Sequence, residues 1–238
     1  MLVSEPYVTD LGIVLKRIPF KDSDAHMVVF GRALGKIVAL AKGLGKPTSK
    51  LSSILDVGNL VTVDLYDGKS GYTLLSATQA EGFARRYHSY EALLTSVYLC
   101  ELVDEGMVRA AAEEAVFVLL QKVLQAMDDS NVVECRLYFE WQFLALAGYL
   151  SREPEDVRAV IAATQKTSRP FQQAQAIADE VAAFIHASDS KQRIEGFRLS
   201  KPARALMRSM VNRSLQNHLG LSLKSKKILD EATMHFYS

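Results

Sequence analysis

Cations and aromatic side chains cluster in the first 80 residues, beside the turns that separate short apolar runs. The cations are Lys16, Arg17, Arg32, Lys36, Lys42, Lys46 and Lys50, and Phe20, Tyr66 and Tyr72 accompany them. Cationic groups that follow a phosphate backbone and aromatic rings that stack on bases are the two elements of single-strand binding. The pattern therefore predicts a DNA-binding surface that includes Tyr72, although each aromatic ring could instead be a core or edge residue.

A second cationic segment lies near the C-terminal end. The chain carries 28 basic and 27 acidic residues, but they are unevenly distributed: residues 1–80 have a net charge of +2, residues 81–190 of −8 and residues 191–238 of +7. Between Gly196 and Leu229 there are eight cations and no acid. Such asymmetry indicates an anionic partner or a solvated helix face. Lys224, Lys226 and Lys227 are further predicted DNA contacts.

Catalytic and metal-binding patterns are weak. Residues 43–48, GLGKPT, resemble a phosphate loop but lack its first glycine, and a proline splits the Lys-Thr pair. Asp22 with Asp24, or Glu113 with Glu114, could hold a divalent cation, yet such pairs are common at turns and helix ends. The two cysteines exclude a disulfide framework. We expect no enzyme, no cofactor and no metal.

The elements that would position these residues change near residue 80. Five apolar runs, 12–18, 25–30, 36–42, 59–66 and 72–78, are separated by turn formers and predict strands. A short helix over 47–55, capped by Thr48 or Ser49, is predicted between the third and fourth strands. Five strands in this order indicate an oligonucleotide/oligosaccharide-binding (OB) barrel.

Helical periodicity begins at about residue 84. Helices are predicted over 90–108, 112–127, 132–150, 154–163, 171–187 and 199–218. The third is apolar nearly all round, which is typical of a buried central helix. The last has Ser200 as its cap and Pro202 in its first turn. The predicted fold is α+β, with an OB domain at 1–80 and a helical domain at 81–238. No targeting or membrane segment is predicted, so a cytoplasmic protein is expected.

Several short segments resemble the RecO family of recombination mediators. They are 24–30 (DAHMVVF), 34–36 (LGK), 41–43 (AKG), 65–66 (LY), 71–74 (GYTL), 139–140 (FE), 148–149 (GY), 199–200 (LS), 218–220 (HLG) and 223–227 (LKSKK). Each is weak alone, but the ordered set runs from about residue 12 to 229. It includes one departure: the position before the FE pair, often Arg in the family, is Tyr138, with Arg136 two residues earlier.

The resemblance implies a bacterial, nucleoid-associated DNA repair and recombination protein without catalysis. It would bind single- and double-stranded DNA, anneal complementary strands, contact single-strand-binding protein (SSB) and RecR, and help load the recombinase. Arg136, Arg204 and Arg208 are candidate contacts for the acidic SSB tail. Many members carry a four-cysteine zinc site that this sequence lacks, so zinc is not expected.

Two alternatives follow from the charges. A protein adaptor with little DNA affinity of its own would suit the modest +2 of the predicted barrel and the −8 of the middle segment. An enzyme acting on nucleic acid would use one of the acidic pairs. The near-neutral total favours DNA affinity that is moderate and sensitive to salt.

Overall fold

The computed structural model describes residues 6–83, 87–107, 113–165, 171–186, 196, 198–220, 223 and 225–229. Its N-terminal part contains five strands: β1 (Tyr7–Phe20), β2 (Asp24–Gly31), β3 (Gly35–Ala41), β4 (Leu60–Gly68) and β5 (Gly71–Glu81). They form a closed barrel in the order β1-β2-β3-β5-β4. The predicted OB barrel is confirmed.

Alternation of apolar and polar residues closes this barrel around a single core. Val61, Val63 and Leu65 of β4 point inward with Val14, Met27 and Val29 from the neighbouring strands, as period-two patterning requires. All strand pairs are antiparallel except β3 with β5, which meet in parallel over only Ala39–Tyr72 and Leu40–Thr73. That short seam completes the cylinder.

A buried carboxylate shapes the hairpin between β2 and β3. Asp10 is 6% exposed and accepts hydrogen bonds from the backbone N–H groups of Ala33 (3.2 Å) and Leu34 (2.9 Å). Glycine is favoured at position 31, because a Cβ there would collide with a carboxylate oxygen of Asp10 unless that side chain moved. The turn is therefore fixed by one acid and one glycine that are distant in sequence.

Between β3 and β4 the helical segment is shorter than predicted. Helix α1 covers only Leu51–Ile54, and its N-cap is Lys50, which makes no side-chain capping bond. The predicted caps Thr48 and Ser49 are wrong, since Lys50 takes the N-cap position and residues 47 and 48 form a turn that precedes the helix. Leu51 and Ile54 still pack against the barrel core, as their spacing predicts.

Longer helices follow: α2 (Tyr90–Gly106), α3 (Glu114–Ala126), α4 (Val132–Leu146), α5 (Pro154–Gln165), α6 (Phe171–His186) and α7 (Lys201–Ser214). Ser200 caps α7 by accepting a hydrogen bond from the Ala203 N–H at 3.3 Å, as predicted. The helix continues into one turn of π-helix, Leu215–Leu219, which is followed by Gly220 in a left-handed backbone conformation. None of the described helices is long and apolar enough to cross a membrane.

Contacts divide the chain into two compact units. The first comprises Met1–Leu124 and Leu223–Ser238, and the second comprises Gln125–Ser222. The second unit is built on α4, in which 12 of the 15 residues are buried, including Trp141. The predicted central helix is thus confirmed, although it ends at Leu146 rather than residue 150. The predicted domain boundary at residue 80 stays a prediction.

Candidate nucleic-acid interface

The outer face of β1, β2 and β3 contains a depression of about 390 Å³. Alternate residues of the three strands line it: Lys16 and Ile18, His26 and Val28, Lys36 and Val38, joined by Asp104 of α2. Their grouping follows from the register, since Lys16 pairs with Val28 and Val28 with Val38. In OB folds, the face of strands 2 and 3 is the one that binds oligonucleotides. The depression is thus placed where this fold binds its ligands.

An aromatic pair lies on the same face of the sheet. The rings of Phe20 and His26 are 4.5 Å apart between centroids, and the Lys21 Nζ lies 5.1 Å from the Phe20 ring centre. Phe20 is 36% exposed, so part of its side chain is accessible to solvent. An exposed ring beside a cation is a platform on which a base can stack.

Our sequence-based site did not include His26 or Lys21. The signal that could have found His26 is its register opposite Ile18, two residues before Phe20 on β1. The period-two rule places these three side chains on one face of the sheet. Lys21 is a different case, because its position depends on the turn geometry, with a left-handed backbone at φ 51°.

The segment that follows β3 presents exposed cations beside that turn. The Gly43 N–H donates to the Asp24 carboxylate at 2.7 Å, and the Gly45 N–H donates to the Ser23 carbonyl at 2.7 Å. These two bonds hold the 43–46 segment against the β1–β2 turn. Lys42, Lys46 and Lys50 are exposed, and none forms an ion pair with a described residue.

Arg17, another predicted DNA contact, makes two hydrogen bonds within its own unit. Its guanidinium donates to the Ser52 hydroxyl at 3.0 Å and to the Leu44 carbonyl at 3.2 Å. Arg17 is half-buried, and both bonds join β1 to the segment that carries the exposed lysines. In this arrangement it positions that segment.

Lys16 and Lys36 both meet the acidic end of α2. The Lys16 Nζ lies 3.3 Å from Asp104 Oδ2 and 3.5 Å from Glu105 Oε1, while the Lys36 Nζ lies 3.6 Å from Asp104 Oδ1. Partial burial lowers the pKa of Lys16, but its hydrogen bond to Asp104 and the charges of Asp104 and Glu105 raise it further, so the net shift is upward. Lys16 therefore stays charged.

The remaining predicted DNA contacts in the first unit differ in their accessibility. Arg32 donates to Glu114 at 2.6 Å in an exposed ion pair, which contributes little to stability. Tyr72 is half-buried, packs on the barrel core and belongs to the parallel seam. Lys227 is exposed, whereas the Lys226 Nζ lies 5.8 Å from the Tyr98 ring centre. Lys224 lies outside the described residues.

Residues 225–229 form a helical turn in the first unit. The Glu101 carboxylate on α2 accepts hydrogen bonds from both the backbone N–H of Ser225, at 2.8 Å, and its hydroxyl. This clamp joins Lys226 and Lys227 to the unit that contains the barrel. Every described residue that is predicted to bind DNA therefore lies in one unit.

The three predicted SSB-tail contacts all lie in the second unit. Arg136 is 5% exposed, and its Nε donates to Glu140 at 3.2 Å. Arg204 donates from Nη2 to the buried Glu134 at 2.6 Å, and its own Nε is buried without a hydrogen-bond partner among the described residues. Arg208 is exposed one turn further along α7.

Metal ligation and thiol chemistry are two further activities that side chains of the described residues could support. No three His, Cys, Asp or Glu side chains gather among these residues in a way that could hold a metal ion. Both cysteines are buried, and burial raises the pKa of the Cys100 thiol to about 12. A thiol with such a pKa is almost fully protonated near neutral pH and is a poor nucleophile.

Comparisons with known proteins agree with the fold. Residues 5–83 match the family model described as "Recombination protein O N terminal", and residues 87–227 match "Recombination protein O C terminal". A "DNA repair protein RecO" of Dehalococcoides mccartyi is 30% identical over 139 residues, which are 58% of this chain and 55% of the relative.

Two further relatives bear the same name. The protein of Symbiobacterium thermophilum is 27% identical over 140 residues, 58% of this chain and 55% of the relative. That of Exiguobacterium sp. is 24% identical over 237 residues, 92% of this chain and 94% of the relative. The chain thus spans about half the length of several relatives and nearly all of another.

Proposed function

The chain belongs to the RecO family of DNA repair proteins, and from this membership we propose that its barrel binds single-stranded DNA on the outer face of β1–β3. The observation that carries the proposal is the depression with the Phe20–His26 aromatic pair on the same face, together with exposed lysines on the segment held against the β1–β2 turn. In this arrangement bases stack on Phe20 and His26, and phosphates contact Lys42, Lys46 and Lys50.

Such a surface supports strand annealing for an electrostatic reason. Two complementary strands repel each other through their phosphates, and a protein that neutralises phosphates lowers that barrier. Contacts through lysines and ring stacking carry little sequence information and leave base edges free to pair. We therefore propose that the protein binds single- and double-stranded DNA without sequence preference, anneals complementary strands and helps load a recombinase on SSB-coated DNA.

Fluorescence anisotropy with a labelled single-stranded oligonucleotide over a salt series tests this proposal. Three phosphate contacts predict a slope of about −2 in a plot of log affinity against log salt, at about −0.7 per contact. Phe20→Ala should weaken binding by about 5- to 160-fold, because stacking contributes about 1–3 kcal/mol per base. Absent or salt-independent binding by the wild-type protein contradicts the proposal.

Tyr66→Ala is the matched control for Phe20→Ala. Tyr66 is also exposed, at 39%, and also belongs to an aromatic pair, with its ring centroid 5.6 Å from that of Tyr7. This pair joins β1 to β4, away from the residues that line the depression. Equal losses in both variants would mean that Phe20 has no special role.

We also propose an SSB-tail contact on α7. Lys201, Arg204 and Arg208 share a face at spacings of three and four residues, and Arg208 is its most accessible arginine. A labelled acidic peptide that ends in an apolar residue with a free carboxylate should bind more weakly to Arg208→Glu than to Arg213→Glu. Arg213 is exposed on the same helix but about 140° around its axis. Equal binding by the two variants contradicts this contact.

The adaptor function remains the second candidate, in which RecR and SSB are the main partners. The observation that favours it is that Lys16, Lys36 and Arg32 already pair with acids of their own unit. It predicts negligible binding to bare oligonucleotide at about 50 mM salt, with binding restored by SSB. The anisotropy series separates the two functions directly.

A further inference from the structure

One carboxylate lies where two cations of the depression converge. Lys16 on β1 and Lys36 on β3 are separated by the whole of β2, yet their Nζ atoms lie 3.3 Å and 3.6 Å from the two carboxylate oxygens of Asp104. Lys36 also donates to the Asp104 main-chain carbonyl. The side chain of Asp104 is only 12% exposed, so this arrangement is enclosed and specific.

The position of Asp104 is unfavourable for its own helix. It lies in the last turn of α2 with Glu105 beside it, and that turn contains no basic residue. The C-terminal end of a helix carries partial negative charge, so two acids there repel it. The ion pairs with Lys16 and Lys36 offset this cost. Asp104 and Glu105 are therefore stabilised by contacts with the sheet and not by their position in α2.

Two ammonium groups converging on one anion form the arrangement that binds a phosphate. We infer that Asp104, assisted by Glu105, occupies a phosphate position of the DNA groove and competes with the DNA backbone for Lys16 and Lys36. This inference rests on the proposed function of the barrel. Asp104 is then a specificity-determining residue, because it prevents these lysines from binding polyanions non-specifically. The lysines become available only to a DNA strand that is already bound to other residues of the same face.

The competition has a signature in the salt dependence of binding. While Asp104 holds Lys16 and Lys36, these lysines neutralise no phosphates and release no counterions from the DNA. They therefore add little to the wild-type slope. Without the carboxylate, each lysine contributes its full share of about 0.7, and the slope steepens by up to about 1.4.

The decisive variant is Asp104→Asn, which preserves shape and removes charge. We expect oligonucleotide affinity to rise about fivefold at 100 mM salt, the equivalent of one partly exposed ion pair, together with the steeper slope. The gain should disappear in Asp104→Asn combined with Lys16→Met and Lys36→Met. Glu91→Gln is the matched control, because it makes the same charge change in the first turn of α2, about 20 Å away along the helix and beyond the screening length of the buffer.

The outcomes separate the two hypotheses. If the wild-type protein binds and Asp104→Asn shows no gain, or if Glu91→Gln shows the same gain, the competition is refuted while DNA binding by the barrel stands. If neither protein binds at any salt, the proposed function is wrong and the inference falls with it. If Asp104→Asn does not fold, Glu105→Gln replaces it, because the Glu105 side chain is 47% exposed. Glu105→Gln should raise oligonucleotide affinity by less than Asp104→Asn would. No rise in affinity in this variant would refute the inference.

Discussion

Arg204 and Arg208 provide a sharp test of which cations are structural. They lie one turn apart on α7, but only Arg204 contacts the interior, with its Nη2 2.6 Å from an oxygen of Glu134. Glu134 is 1% exposed and also accepts a hydrogen bond from the Leu199 N–H at 3.3 Å. Arg204→Glu would place a second carboxylate beside a buried one, whereas Arg208→Glu would change only an exposed charge.

The expected magnitude follows from the burial of the two partners. Removing one member of a fully buried ion pair costs about 3–5 kcal/mol. Because the Arg204 side chain is 33% exposed, solvent screens part of this, and we expect a loss of about 2–3 kcal/mol in unfolding free energy for Arg204→Glu. For Arg208→Glu we expect a change within about 0.5 kcal/mol.

Urea unfolding followed by tryptophan fluorescence measures this difference. Trp141 is the only tryptophan and lies in α4, the same helix as Glu134, so its signal reports on the unit concerned. With a urea dependence of about 2 kcal/mol per M, the midpoint for Arg204→Glu should fall by about 1 M. Equal midpoints for Arg204→Glu and Arg208→Glu would refute the reasoning, and Glu134→Gln should restore part of the stability of Arg204→Glu.

Three further predictions concern the first unit. Burial raises the pKa of the Cys100 thiol to about 12, so this thiol should resist a thiol reagent at pH 8 in the folded protein. In urea it should react at the rate at which the protein unfolds. Rapid labelling of Cys100 in the folded protein would contradict this prediction. Hydrogen bonds from Ser76 and then Thr9 lower the pKa of the Asp64 carboxyl, so its contribution to stability is present above the ordinary carboxyl pKa and is lost as the pH falls through the lowered one. Asp64→Asn should therefore be less stable than the wild type at pH 7 in thermal unfolding, with the difference closing in acid. Gly31→Ala would force a Cβ against a buried carboxylate oxygen of Asp10 and should lower the free energy of unfolding, measured by urea denaturation, by an amount typical of overpacking, about 1–3 kcal/mol.

Local sequence patterns predicted most of the fold. Strand positions followed from period-two alternation, and the start of α7 followed from Ser200 and Pro202, because these signals depend on neighbours in sequence. The cap of α1 did not, since the backbone turns before the helix begins, with the Ser49 N–H donating to the Lys46 carbonyl, and Lys50 takes the N-cap position. Likewise α7 changes to a π-turn after Ser214, which apolar spacing alone did not indicate.

The candidate site was less predictable than the fold. The sequence identified Lys16 and Arg32 as surface cations, but their acidic partners are 88 and 82 residues further along the chain. Periodicity predicts the face of the sheet on which a side chain lies. It does not predict which acidic residue of another element lies beside that side chain. The pairing of Phe20 with His26 depended in turn on strand register, which becomes known only once the barrel is closed.

The clamp between Glu101 and Ser225 has a consequence for synthesis of the chain. The two residues are 124 positions apart, while the pairs that build the barrel lie within residues 7–81. At about 5–20 residues per second, the ribosome needs roughly 6–25 s to add the segment between them. During that interval the barrel can form, but Glu101 has no Ser225 to bind, so the C-terminal lysines join the first unit only after the second has been made.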